Sequence, residues 1–451
     1  MLEQAASQAA AARVALPVIH PARPTGRGVD RRITFAGLLV AAAVAALAAV
    51  AAIGSAAGGT VWLPLHLALA GTAGTAIAAV LPFFTAALAG VAPARSGLRI
   101  AAIALIAGGS VAAGLGMSGG MAWLAASGGA AYVVGVVAIA AVAFLPLRVA
   151  PGFRFRLIHL AYAAALTQVG IGVALATAML AGWPPVAGAW VTLKPAHAWL
   201  NVFGFLTLVV AATLIHLAPT VAGARMRSRR SARVVLIGLA IGPPLVAIGF
   251  TWSWDTVARM GALVELAGGA ALVVHGAAVQ REHGQWSGDA GWHRFASLSL
   301  MAAPAWLLVA LAIAAGQILR FGATPIAWSI ESLAVPLVVG WIGQVLIGSW
   351  THLVPAIGPG DQAAHARQRR WLGRAASPRW LIWNAGAALG TIGLLLGERA
   401  MAFVGLACVI ASLFAALGLL AAAVREGLRS APISPPSDER SAPPPASRPA
   451  G

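Results

Sequence analysis

Apolar residues fall into twelve long runs, at residues 34–54, 61–90, 98–118, 121–147, 157–181, 196–222, 233–253, 258–279, 295–316, 325–355, 379–397 and 400–424, with short polar segments between them. A run of about 20 residues, at about 1.5 Å per residue, crosses a hydrocarbon core of about 30 Å as a helix. Backbone groups in lipid have no water to bond, so helices are the economical way for such runs to satisfy them. The pattern predicts an all-α polytopic membrane protein of about twelve transmembrane helices, numbered here as spans 1 to 12. Residues 1–33 read as an N-terminal tail, 34–424 as the transmembrane domain, and 425–451, rich in Pro and Ser, as a disordered tail. No small-residue cleavage site follows the first run, which therefore reads as a span and not as a cleaved signal.

Composition agrees. Of 451 residues 60% are hydrophobic and 9% charged, with a mean hydropathy of +0.86, which excludes a soluble globule. The net charge of +18 raises the question of nucleic acid. The arginines, however, sit in short connections between apolar runs, where they act as topology signals, and no nucleic-acid partner is expected. With the N-terminus inside, every one of the 30 basic residues except Lys194, Arg259, Arg320 and Arg399 falls on the inner side. That asymmetry predicts a multi-pass protein of the bacterial inner (plasma) membrane with both termini cytoplasmic, its surroundings the lipid bilayer. The lone cysteine, Cys408, excludes a disulfide framework and reads as packing.

The alternation of spans gives each polar residue a depth. The outer half holds His66, His197, Asn201, Glu265 and Glu331; the inner half holds His159, His216, His275 and His352. His20, His283, His293 and His365 read as ordinary solvated residues, and Trp62, Trp199, Trp252 and Trp254 as an interfacial belt. His197 and Asn201 lie four apart and share a helix face, where Gly204 admits a neighbouring backbone or a flat ligand. A carboxylate inside a membrane is costly without a role or partner, which marks Glu331 as functional; Glu265 is either functional or paired with Arg259. His-Leu-x-Pro closes both span 6 (His216 to Pro219) and span 10 (His352 to Pro355). A helix-ending proline explains the two prolines but not the histidine three before each.

Histidines on spans 2, 6 and 10, with the stretch His197-Ala198-Trp199-Leu200-Asn201-Val202-Phe203-Gly204-Phe205 and a later Pro219, resemble the catalytic subunit of the haem-copper oxidases and the NnrS-like haem- and copper-containing membrane proteins. The chain is also similar to the membrane module of actinobacterial multicopper oxidases. The resemblance implies three arcs of four helices, haem and/or copper as cofactor, and His66, His197, His216 and His352 as metal ligands. They form an outer layer (His66, His197) and an inner one (His216, His352, with His159 or His275 in reach). Asn201 and Gly204 then line the cofactor, and Glu265 and Glu331 assist proton movement. Oxidases carry paired histidines on helix 7 and a His-x-His on helix 10. Here span 7 has no histidine and span 10 has one, so a complete oxygen-reducing binuclear centre is not expected.

The expected function is electron transfer or nitrogen-oxide or copper metabolism. Two alternatives stand beside it. A proton-coupled secondary transporter would use the same buried His and Glu residues and would show an inverted repeat. A membrane anchor would dock a periplasmic redox protein of the multicopper oxidase type, since the outer loops are too short to hold such a domain.

Overall fold

The computed structural model describes residues 27–56, 62–149, 155–225, 230–284, 293–324 and 331–430. Among these, twelve helices are long and apolar enough to cross a membrane. They are Asp30–Ser55, Trp62–Ala89, Ser96–Ser118, Ala122–Val149, Arg156–Leu180, Trp190–Ala222, Arg230–Trp252, Asp255–Arg281, His293–Phe321, Ser332–Ile357, Ala376–Leu396 and Arg399–Arg429, spans 1 to 12 in order. The last runs past the boundary expected at 424. The expected Pro/Ser-rich tail from 431 onward and the N-terminal tail up to residue 26, with His20, lie outside the described residues.

Spans 2, 6 and 10 are the most buried, at 67, 78 and 61%. Each contains a π-helical stretch: Leu67–Ala73, Leu200–Thr207 and Val335–Gly343. A π turn bonds five residues back and widens the helix, a form frequent at functional sites. In span 2 the Thr72 hydroxyl reinforces it by donating to Leu67 O, five back, at 3.0 Å. The three stretches meet at the centre: that of span 2 touches the other two, and Trp341 Nε1 on span 10 donates to Thr207 Oγ1 on span 6 at 3.3 Å.

Around this centre, spans 3 and 4, 7 and 8, and 11 and 12 form the three tightest hairpins. The same residues recur at the same spacing in each: Gly109, Gly116, Ala125, Gly128; then Gly242, Gly249, Ala258, Gly261; then Gly386, Gly393, Ala402, Gly405. A Cβ on Gly116, Gly249 or Gly393 would lie 2.4, 2.6 or 2.4 Å from the backbone nitrogen of Ala125, Ala258 or Ala402. Without a hydrophobic drive between helices in lipid, such close backbone approach supplies the packing. The chain is therefore three successive four-helix units, all running the same way.

Two arginines at the inner ends of their spans are built into the protein. Arg99 is 2% exposed, ion-paired with Asp30, and donates through Nη2 to Thr34 Oγ1 at 2.9 Å. Arg379 donates to Leu372 O at 2.7 Å and lies 4.0 Å over the Phe295 ring. A buried guanidinium needs such partners, and these tie spans 1 to 3 and 9 to 11.

Candidate functional site

Span 2 opens Pro64-Leu65-His66 and span 6 holds Pro195-Ala196-His197, each a Pro-x-His just ahead of a π stretch. The two imidazoles come within electrostatic range of each other. His66 Nδ1 lies 3.0 Å from Trp62 O, with its ring stacked on Trp62 at 3.7 Å. His197 Nδ1 lies 2.8 Å from Gly172 O of span 5. A carbonyl only accepts, so each neutral ring carries its proton on Nδ1 and keeps the Nε2 lone pair. This is the second-coordination-sphere arrangement that orients a metal-ligating histidine.

Asn201 stands beside the His197 ring. Its Nδ2 donates to His197 O at 2.7 Å and lies 2.9 Å from Nδ1. Because Nδ1–H is already given to Gly172, the carbonyl is the effective acceptor. A Cβ on Gly172 would lie 2.7 Å from Asn201 Nδ2, so this glycine lets span 5 close on the site. Gly204 serves packing against Gln168, whose Oε1 would sit 2.0 Å from a Cβ there. Gln168 Nε2 in turn donates to Ala240 O at 3.3 Å. That carbonyl lost its helical partner because Pro244, four residues on, has no N–H.

Glu265 of span 8 is 1% exposed and accepts the Trp199 Nε1 proton at 2.9 Å. Arg259, the partner considered from sequence, sits instead 3.7 Å from Asp255. Trp199 is correspondingly 2% exposed, against 58% for Trp252 and 55% for Trp254, so it belongs to the core and not to the belt. The indole thus joins the carboxylate to the helix turn that carries His197. Glu331 opens the helix Glu331–Ala334, and its side chain lies outside the described residues.

On the inner side, His216 and His352 each meet a histidine from the preceding span. His216 is 5% exposed, with Nδ1 3.3 Å from Ala212 O, no hydrogen-bond partner at Nε2, its ring on the Phe84 edge at 5.1 Å and His159 in electrostatic range. His352 packs on His293 at 5.8 Å between rings. His293, expected to be solvated, is 6% exposed. In the first unit Ala79 precedes Pro82 at the equivalent position and packs against Gly37, where a Cβ would lie 2.6 Å from Ala79 Cβ. His275 lies 3.2 Å from Ser231 Oγ. His283 is exposed, whereas His365 is half-buried with Nε2 3.3 Å from Gly358 O.

Among the described residues no three His, Cys, Asp or Glu side chains converge, so each candidate centre is a pair. Just past its π stretch the third unit carries an amide network: Gln344 and Asn384 bond reciprocally at 3.1 and 3.2 Å, and Trp306 Nε1 donates to Asn384 Oδ1 at 2.8 Å. Sequence reasoning missed this network, Gln168, Gly172 and the role of Trp199. The repeated Pro-x-His was the available signal for the outer pair.

No protein-family model matches the sequence, and no curated protein sequence matches it. In three dimensions the chain is similar to a heme-copper terminal oxidase solved by cryo-EM as a dimer: 11% identity, a TM-score of 0.67, and coverage of 88% of this chain and 84% of that one. The expected oxidase-like, all-α membrane architecture holds at the level of the fold.

Proposed function

We propose that the chain is a haem- and/or copper-binding integral membrane protein working in electron transfer or nitrogen-oxide or copper metabolism, with its centre at His66 and His197. One observation carries this reading. The two rings lie within electrostatic range of each other on two central helices, each with Nδ1 committed to a backbone carbonyl, which leaves the Nε2 lone pair as the donor a metal would use. Neutral imidazole ligates iron and copper alike, so the donor set fits either group. When bound, that group supplies one-electron chemistry. Gly172 O fixes the His197 tautomer, and Asn201 holds the helix turn beside it. A charge arriving at a buried centre is offset most cheaply by a proton nearby; Glu265, through Trp199, and Glu331 are the proposed acceptors. The absence of a histidine on span 7 leaves the reading without a complete oxygen-reducing binuclear centre. The arginine distribution supports the bacterial inner membrane with both termini cytoplasmic, which puts the His66 and His197 layer toward a periplasmic redox partner. Three units running the same way support this reading over a transporter of the inverted-repeat type.

The test is an ultraviolet-visible spectrum with metal analysis of detergent-purified protein from cells supplied with haem and copper. Loss of a Soret band or of stoichiometric copper is expected in the His66→Ala, His197→Ala double variant, with retention in His216→Ala, His352→Ala. A colourless, metal-free wild type, or loss in the inner variant alone, overturns the assignment.

A further inference from the structure

Between spans 10 and 11 runs a short helix, Gln362–Gly373, capped by Asp361, whose Oδ1 accepts Ala364 N–H at 2.7 Å. Ala364, Gln368 and Leu372 are buried beneath it. Gln368 Nε2 donates to Pro359 O at 3.0 Å and fills the space over Gly427 of span 12, where it would lie 2.2 Å from a Cβ. Arg367 ties the helix to the end of span 12 by pairing with Glu426 and donating to Ser430 Oγ. The helix is thus held firmly by one side.

Its C-terminal half is cationic. Arg367, Arg370 and Trp371 stand at i, i+3 and i+4 on the helix and, with Arg374 at its C-cap, line an open cavity of about 380 Å³. The Arg374 guanidinium lies 3.6 Å from the Trp371 ring centroid, so the indole forms one wall and orients that fork. Glu426 neutralises Arg367. Among the described residues no carboxylate pairs with Arg370 or Arg374, and both are exposed. Two arginines that repel each other in one cavity, with an aromatic wall, at the level where spans 10 to 12 leave the hydrocarbon, match a ligand that is anionic at one end and apolar at the other.

We infer that this cavity binds the phosphate headgroup of an anionic phospholipid, with Arg370 and Arg374 on the phosphate oxygens and Trp371 against the glycerol and the first acyl carbons. Guanidinium forks suit phosphate in a bidentate manner, and basic recesses at the cytoplasmic ends of spans are where acidic headgroups collect.

Native mass spectrometry of the full-length protein in mild detergent, titrated with phosphatidylglycerol or phosphatidylcholine, tests this. Phosphatidylglycerol should bind at least about tenfold more tightly. Arg370→Gln, Arg374→Gln should abolish the preference, Arg370→Lys, Arg374→Lys should keep most of it, and Arg225→Gln, Arg233→Gln, where span 6 passes into span 7, should leave it intact. Unchanged melting temperatures show that the variants are folded. Equal binding of the two lipids, an undiminished preference in the glutamine variant, or complete displacement by millimolar inorganic phosphate, which marks a soluble-anion site, overturns the proposal.

Discussion

At the residue scale, the buried Glu265 is sustained by a single identified donor, the Trp199 indole. Leaving one half of such a bond unpaired in the interior costs about 1–3 kcal/mol. Glu265→Gln keeps an acceptor oxygen and should melt close to wild type, whereas Glu265→Leu strands the indole N–H and should melt several degrees lower in detergent, as should Trp199→Phe. Equal melting of Gln and Leu variants would show that the bond contributes nothing. The carboxylate was visible in the sequence because a charge inside an apolar run stands out. Its partner was not. Trp199 sits near the outer end of its run, where tryptophans usually meet lipid headgroups, and only the packing of span 8 against span 6 turns that indole inward. His293 was misread for a similar reason: it looked like loop sequence, yet the helix of span 9 starts at that residue and packs it on His352.

At the scale of elements, hydropathy was sufficient to locate all twelve spans, because lipid leaves a run of that length one conformation. It did not show how they pair. The Gly-x6-Gly-x8-Ala-x2-Gly repeat is present in the sequence. In a chain with 52 glycines it cannot be recognised until it is known which helices form hairpins. The π stretches leave no compositional mark that separates them from α-helix. The repeat makes a contrast within span 3. A Cβ on Gly108 meets nothing within 4 Å, while one on Gly116 meets the Ala125 backbone at 2.4 Å. Gly108→Ala should be neutral or slightly stabilising, since alanine is favoured over glycine in a helix by about 1 kcal/mol. Gly116→Ala should lower the melting temperature and membrane yield, and the corresponding changes at Gly249 and Gly393 should do likewise. If alanine is tolerated alike at Gly108 and Gly116, the hairpins are not held by close backbone contact.

For the whole molecule, three same-direction units bring their π-bulged central helices together, and the histidines sit where two of those helices widen. Two units contribute an outer histidine each; the third contributes a closed amide network. Two units also carry an inner histidine pair, while the first closes the equivalent place with Ala79 on Gly37. The threefold frame is thus used asymmetrically, and the proposed ligands come from units one and two. The sequence placed His216 with His352 and left His293 in a loop, because equal depth on parallel helices does not fix which neighbour each ring faces. The measurement that bears most directly on the account is pulsed electron paramagnetic resonance of the oxidised protein grown with ¹⁵N-histidine. Cu(II) and low-spin Fe(III) are both paramagnetic and both couple to ligating imidazole nitrogen. Two imidazole couplings are predicted in the wild type, reduced to one in each of His66→Ala and His197→Ala and unaltered in His216→Ala. Couplings that survive both outer substitutions, or that vanish only with His216, would contradict a centre held by His66 and His197.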